Sequence, residues 1–250
     1  MHTLAESVVY DFGIADPAEI DVEAIAFERG VIVRRLPLVG CEARIVGHGD
    51  RAIVSVDSTK SPRRQRFSIA HELGHWQLHR GQVLFCASSD IGDGRASESE
   101  RMANRYAADL LMPRYLFLPR ALAVREPTWT GVEQLSDAFK TSRPATAIRL
   151  VELDAFPIIL VCHRQAGRQW FKCSPSTDDW HVRADLDSRT AAIELLYGTT
   201  SELPPRSLTG DAWLTGAAAG RFRIVEHSIR SADSVYSLLW LNDRGLARPR

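Results

Sequence analysis

The sequence is short of several things, and each shortage excludes something. It has four cysteines in 250 residues, Cys41, Cys86, Cys162 and Cys173, widely separated and with no CxxC pair. Disulfide scaffolds are short and cysteine-dense, so these four read as free thiols in a reducing compartment. It has no excess of either charge: Lys+Arg and Asp+Glu stand at 31 each, a formal net charge of zero. A polyanion-binding protein usually carries a basic excess. No apolar run approaches the roughly 18 residues that span a bilayer. The opening residues MHTLAESVVYDFG have neither the basic start nor the apolar stretch of a signal peptide. A soluble, cytoplasmic protein is expected. There is no internal repeat and no low-complexity tract. What is present is an ordinary globular composition, 45% hydrophobic and 25% charged, on a chain long enough for one or two domains with a sizeable core.

Local signals divide the chain. Asp16 and Pro17 predict a helix from Asp16 to Arg29, stopped by Gly30. Three strands follow, Val31 to Leu38, Ala43 to Val46 and Ala52 to Val56, all β-branched and bounded by Gly, Pro or Asp. Ser61-Pro62 starts a strong helix that runs to about His79 and stops at Gly81. Residues 86 to 96, CASSDIGDGRA, read as a loop. Ser97 opens another helix, ended by Pro113. A Pro/Thr stretch at Glu126-Pro127-Thr128 reads as a linker. Helical patterns cover Val132 to Phe139 and Arg143 to Leu153. Strands are expected at Pro157 to Val161, Gln169 to Cys173, Phe222 to Glu226 and Val235 to Leu241, with a helix at about Ser188 to Tyr197. The expected domains are 1–123, 124–154 and 155–250.

The chemistry sits on the helix that starts at Ser61, in His71-Glu72-Leu73-Gly74-His75. Histidines at i and i+4 lie one turn apart on one helical face and can bind one Zn²⁺ from the same side. Glu72, beside the first of them, can take a proton from a water activated by the metal. A five-residue pattern with three fixed positions also arises by chance on ordinary helices. Context argues against chance here. Phe67, Ile69, Ala70 and Leu73 half-bury the helix. Gly74 in its interior costs about 1 kcal/mol against alanine, a cost that makes sense where another backbone must come close. A catalytic zinc wants a third protein ligand. His79 is eight residues from His71, about 12 Å along the axis, too far to converge on the same ion. It is expected beside the ligands, near a helix C-terminus that favours partial positive charge. The preferred third ligand is Glu100. Glu100, Ala103, Asn104 and Ala107 share a face, the alanines allow close packing, and Asn104 can accept a hydrogen bond from a ligand imidazole. Two alternatives stand beside it: Ser97-x-x-Glu100 is also a capping box, and Glu98 is a competing ligand.

These segments resemble a known family. Arg66-Phe67-Ser68-Ile69-Ala70-His71-Glu72-Leu73-Gly74-His75-Trp76-Gln77-Leu78-His79, followed by Glu100-x-x-Ala103-Asn104-x-Tyr106-Ala107-Ala108-x-Leu110-Leu111-Met112-Pro113, is similar to the ImmA/IrrE metallopeptidases. The resemblance covers roughly residues 15 to 115. Met102 and Tyr106 depart from it, standing where Glu and Phe are common. The resemblance implies an α+β, gluzincin-like peptidase domain with a small sheet. It implies His71, His75 and Glu100 as ligands, with Glu72 as base. It also implies a protein substrate: a helix-turn-helix repressor of the XRE type, cut to release a stress or mobile-element programme. The longer layout resembles IrrE-like members with a helix-turn-helix-like linker and an α/β, GAF-like C-terminal domain.

The remainder carries weaker signals. Residues 134 to 150 have helix-turn-helix rhythm, but Arg143 and Arg149 are too few cations for a phosphate backbone, so packing or substrate docking is favoured over DNA binding. Trp170, Trp180, Trp213 and Trp240 could line a small-molecule pocket or simply fill a core. If the zinc were structural, the chain would instead be a non-proteolytic regulator binding DNA or protein; a partner in a toxin–antitoxin pair is a third reading. An exposed strand at Arg51 to Asp57 is expected to pair with an extended substrate segment.

Overall fold

Local capping sets the first elements. In the computed structural model, which describes residues 2–79, 97–177 and 179–241, Thr3 caps α1 (Leu4–Asp11). Its hydroxyl accepts from the Glu6 N–H, and the Glu6 carboxylate accepts from the Thr3 N–H. The single helix expected from Asp16 is two pieces. Asp16 caps a short 3-10 turn, Pro17–Glu19; the chain is extended at buried Ile20; then Asp21 caps α2 (Val22–Glu28), accepting from the Glu23 and Ala24 N–H groups. A second capping aspartate so soon after the first gives the backbone a competing start. Gly30 closes α2 with a φ of +78°, where a Cβ would collide with the Asp50 carbonyl.

The expected strands form one small sheet from β1 (Val31–Leu36), β2 (Ala43–His48) and β3 (Arg51–Asp57). The order is β1-β3-β2, with β1 parallel and β2 antiparallel to β3. This corrects one expectation. Both sides of Arg51–Asp57 are already paired, so that strand offers no free edge to a substrate. Ala43, Ala52, Val54 and Val56 form the buried face. Two long helices lie in the same part of the chain. α3 (Pro62–Leu78) starts at Ser61, whose hydroxyl accepts from the Arg64 N–H, and α4 (Glu98–Leu111) starts at Ser97.

Beyond them run α5 (Arg114–Ala123), which the sequence pattern did not announce, α6 (Trp129–Phe139) and α7 (Arg143–Glu152). The chain divides into two compact units, residues 1–119 with 136–145, and residues 120–135 with 146–250. The second is built on an antiparallel sheet of β4 (Ile158–Arg164), β5 (Gly167–Cys173), β6 (Arg206–Thr209), β7 (Arg223–Ser231) and β8 (Ser234–Leu241). Its order is β5-β4-β8-β7-β6, and α8 (Ala191–Tyr197) packs on β7 and β8. Trp213 is 1% exposed in the core beneath α8, and Trp180 packs against that core, so these two are filling. Arg149 is also 1% exposed and is not presented to a phosphate backbone. Cys41, Cys162 and Cys173 are free thiols; Cys86, the helix stop at Gly81 and the loop at 86–96 lie outside the described residues. Among the described residues no helix is long and apolar enough to cross a membrane.

Candidate metal centre

The site exists because two helices come unusually close. A Cβ on Gly74 would lie 3.1 Å from the Ala103 Cα, the Ala103 carbonyl oxygen and the Tyr106 Cβ. Such contacts are tighter than most a Cβ makes, so any side chain there would push α4 back by a few tenths of an ångström. Ala103 and Ala107 are fully buried on the facing side. The interior glycine of α3 and the alanines of α4 thus act together: one helix gives up a side chain, and the other offers only methyl groups. The sheet is held to α3 by Trp76, whose indole N–H donates to the Arg29 carbonyl at 3.1 Å. Gly47 on β2 leaves the room that the Trp76 ring fills. Neither partner of Trp76 could be read from local sequence.

This packing gathers three side chains. His71 Nε2 and His75 Nε2 lie 3.0 Å apart. Glu100 reaches both, Oε2 at 3.2 Å from His71 Nε2 and Oε1 at 3.2 Å from His75 Nε2. Two nitrogens and a carboxylate therefore converge on one small volume. Ligand bonds of about 2.1 Å in a tetrahedron put the ligand atoms about 3.4 Å apart. The donor set therefore fits a divalent ion such as zinc with shifts of a few tenths of an ångström. His71 Nδ1 lies 3.0 Å from Asn104 Oδ1, which can only accept, so the proton sits on Nδ1 and the Nε2 lone pair is presented to the centre. Burial, helped by the neighbouring His71, pushes the His75 pKa down to about 4. His75 is thus neutral at ordinary pH, the form that binds metal.

The other sequence candidates fall around this centre. His79 Nδ1 is 3.4 Å from His75 Nδ1, on the side away from Glu100. Glu72 is buried at 1% exposure within α3. Glu98 is not in the cluster; it lines a separate hollow with Leu4, Leu78 and Met102. The Ser97 hydroxyl accepts from the Glu100 N–H, so one half of the capping box forms while the Glu100 carboxylate serves the histidines.

A buried donor set of this kind on packed helices beside a small sheet is what a metalloprotease domain requires. Residues 28–151 match the family described as the IrrE N-terminal-like domain. Over this stretch the chain is similar to the ImmA/IrrE metallopeptidases. It is 29% identical over 156 residues to the radiation response metalloprotease IrrE of Deinococcus radiodurans, covering 59% of this chain and 47% of that protein. It is 31% identical over 109 residues to the protein of the same name from Deinococcus deserti, covering 43% of this chain and 38% of that one. The chain thus spans less than half the length of the curated relatives it matches. Among solved structures, a Mycobacterium tuberculosis transcriptional regulator shares the fold, with a TM-score of 0.65 at 16% identity over 95% of this chain and 75% of that one.

Proposed function

We propose that the chain is a zinc-dependent endopeptidase of the gluzincin type. His71, His75 and Glu100 hold the metal, and Glu72 is the general base. The observation that carries this reading is the convergence of His71 Nε2, His75 Nε2 and the Glu100 carboxylate, with Glu72 next to the first of them on the same helix. When bound, zinc polarises the peptide carbonyl and acidifies the attacking water. The chain's own residues do the rest. Asn104 fixes the tautomer and orientation of His71. His79 lies behind His75 and limits its rotation. Glu72 takes the proton of the attacking water and delivers it to the leaving nitrogen. An ion held only for structure has no use for such an acid, which is why the peptidase is preferred to a non-proteolytic regulator.

The substrate is proposed to be a protein, a helix-turn-helix repressor of the XRE type whose cleavage releases a stress response in the cytoplasm. Because β3 is central, an extended substrate segment would pair with an outer strand of the sheet, and β2, the antiparallel edge, is the candidate. The domains are proposed as peptidase, short helical segment and C-terminal sensor. The order of the second sheet, with α8 against it, supports a GAF-like reading of the last.

The test is the set of new protein N-termini in cells making wild type or Glu72→Gln, with and without stress. Glu72→Gln keeps zinc and slows the cut about 10²–10⁴-fold. A cut that proceeds at the wild-type rate in Glu72→Gln removes the general-base role.

A further inference from the structure

Among the described residues, one face of the small sheet is largely exposed. The alternation of the strands puts Ala52, Val54 and Val56 inward, and the opposite parity outward. The outward side chains form two rows across all three strands, with exposed His48 opposite exposed Arg51 beyond the first. Register aligns Ile32 with Ile53 and Ile53 with Val46, and the next row is Arg34, Ser55 and Arg44. Ile32 is 49% exposed and Val46 70% exposed. Arg34 and Arg44 are exposed, and among the described residues neither makes an ion pair or hydrogen bond. This contrasts with Arg35 on the other face, which is held by Glu23 and Gln65. Apart from buried Asp57, engaged by Thr59 and Leu38 at the end of β3, the outward positions of the strands carry no carboxylate. The face therefore offers an aliphatic strip with Arg34 and Arg44 on one side and Arg51 with His48 on the other.

We infer that this face docks a protein segment with apolar side chains flanked by carboxylates, and that the segment belongs to the protein substrate, away from the bond that is cut. Charge complementarity selects the carboxylates: two guanidiniums about two strand spacings apart suit a partner with two acids at matching distance. The aliphatic strip selects a protein. A nucleic acid could not use the aliphatic strip, and it would find three guanidiniums, one imidazole and no Phe, Tyr or Trp on which to stack a base. The assignment of the partner as substrate rests on the peptidase reading; the docking itself does not.

The experiment uses the full chain and a defined probe, so that it needs no cleavage. The probe is a fluorescent amphipathic peptide with leucines at i, i+3, i+4 and i+7 flanked by glutamates. A lysine-flanked version and a DNA duplex of similar length are the comparisons. Wild type binds the glutamate peptide in preference to both. Arg34→Glu with Arg44→Glu weakens it roughly tenfold and improves the lysine peptide, and Val46→Asp also weakens it. All three positions are exposed, and an unchanged thermal transition shows that the variants fold. Failure of wild type to bind the glutamate peptide, binding indifferent to the two arginines, or tighter arginine-dependent binding of the duplex overturns the inference. Loss of zinc-dependent cleavage in a separate assay would sink the peptidase reading and leave this binding result standing.

Discussion

Two glutamates set among polar groups, Glu226 and Glu100, are different in kind. Glu226, on β7, is fully buried and meets four donors: the N–H groups of Ala191 and Ala192 at the start of α8, the Trp213 indole and the Ser228 hydroxyl. Every partner gives it a proton, so its charge is matched and its lone pairs are used. Glu100 meets two imidazole nitrogens whose lone pairs point at the same spot as its own oxygens. Three acceptors facing one another are a poor arrangement unless a cation joins them. A satisfied buried carboxylate ties a helix to a sheet. A half-buried carboxylate facing other acceptors marks a place for an ion.

The largest effect that bears on this contrast is on stability. Glu226→Ala leaves the Ala191 and Ala192 amides and the Trp213 indole without a partner in the interior, and costs about 3–5 kcal/mol in urea unfolding. Glu100→Ala, measured without metal, changes stability by less than about 1 kcal/mol, because it removes a contact among acceptors. Similar losses for both would erase the distinction. Next comes the spacing that makes the site. Gly74→Val forces α3 and α4 apart and costs about 1–3 kcal/mol in the same measurement, with zinc affinity falling in parallel. Retention of full affinity would mean that the centre does not depend on that close approach. Asn104→Ala leaves the fold intact and weakens zinc binding about 10–100-fold by freeing the His71 ring, as read by competition with a chelator.

The smallest effect lies in the second unit and concerns pH. His163 is 1% exposed, and burial, aided by Arg168, lowers its pKa to about 4. An unfolded histidine titrates near 6.5, so between those values the unfolded chain binds more protons than the folded one. Stability is full above about pH 6.5 and is lost as pH falls towards 4, by on the order of 2 kcal/mol for this group. Acid unfolding curves of His163→Leu should lose part of that slope. His75 and His227, which burial also lowers, contribute to the remainder. An unchanged slope would mean that His163 takes up no proton on unfolding.

Much of the site was legible because it is written at helical spacing. The i, i+4 histidines, the glycine between them and the face shared by Glu100, Ala103, Asn104 and Ala107 are local patterns, and Ser61 and Ser97 mark where each helix begins. Choosing Glu100 over Glu98 needed only the helical period. Long-range pairings left no such trace. Nothing in Ala52 to Val56 says that it lies between the other two strands. Arg63 donates to the Thr141 carbonyl at 2.9 Å and to Asp137 at 2.6 Å, more than seventy residues away, and no local signal points there. α1 has eight residues and β6 four, lengths at which periodicity says little. The break at Ile20 was missed because Asp16 and Asp21 are equally good caps, and only the packing of the buried isoleucine decides between them.

The most direct test is elemental analysis of dialysed protein for zinc. The account predicts one zinc per chain in wild type, Glu72→Gln and Glu98→Ala, and a large loss in Glu100→Ala and His75→Ala. Full zinc in Glu100→Ala, or its loss in Glu98→Ala, would contradict the centre described here.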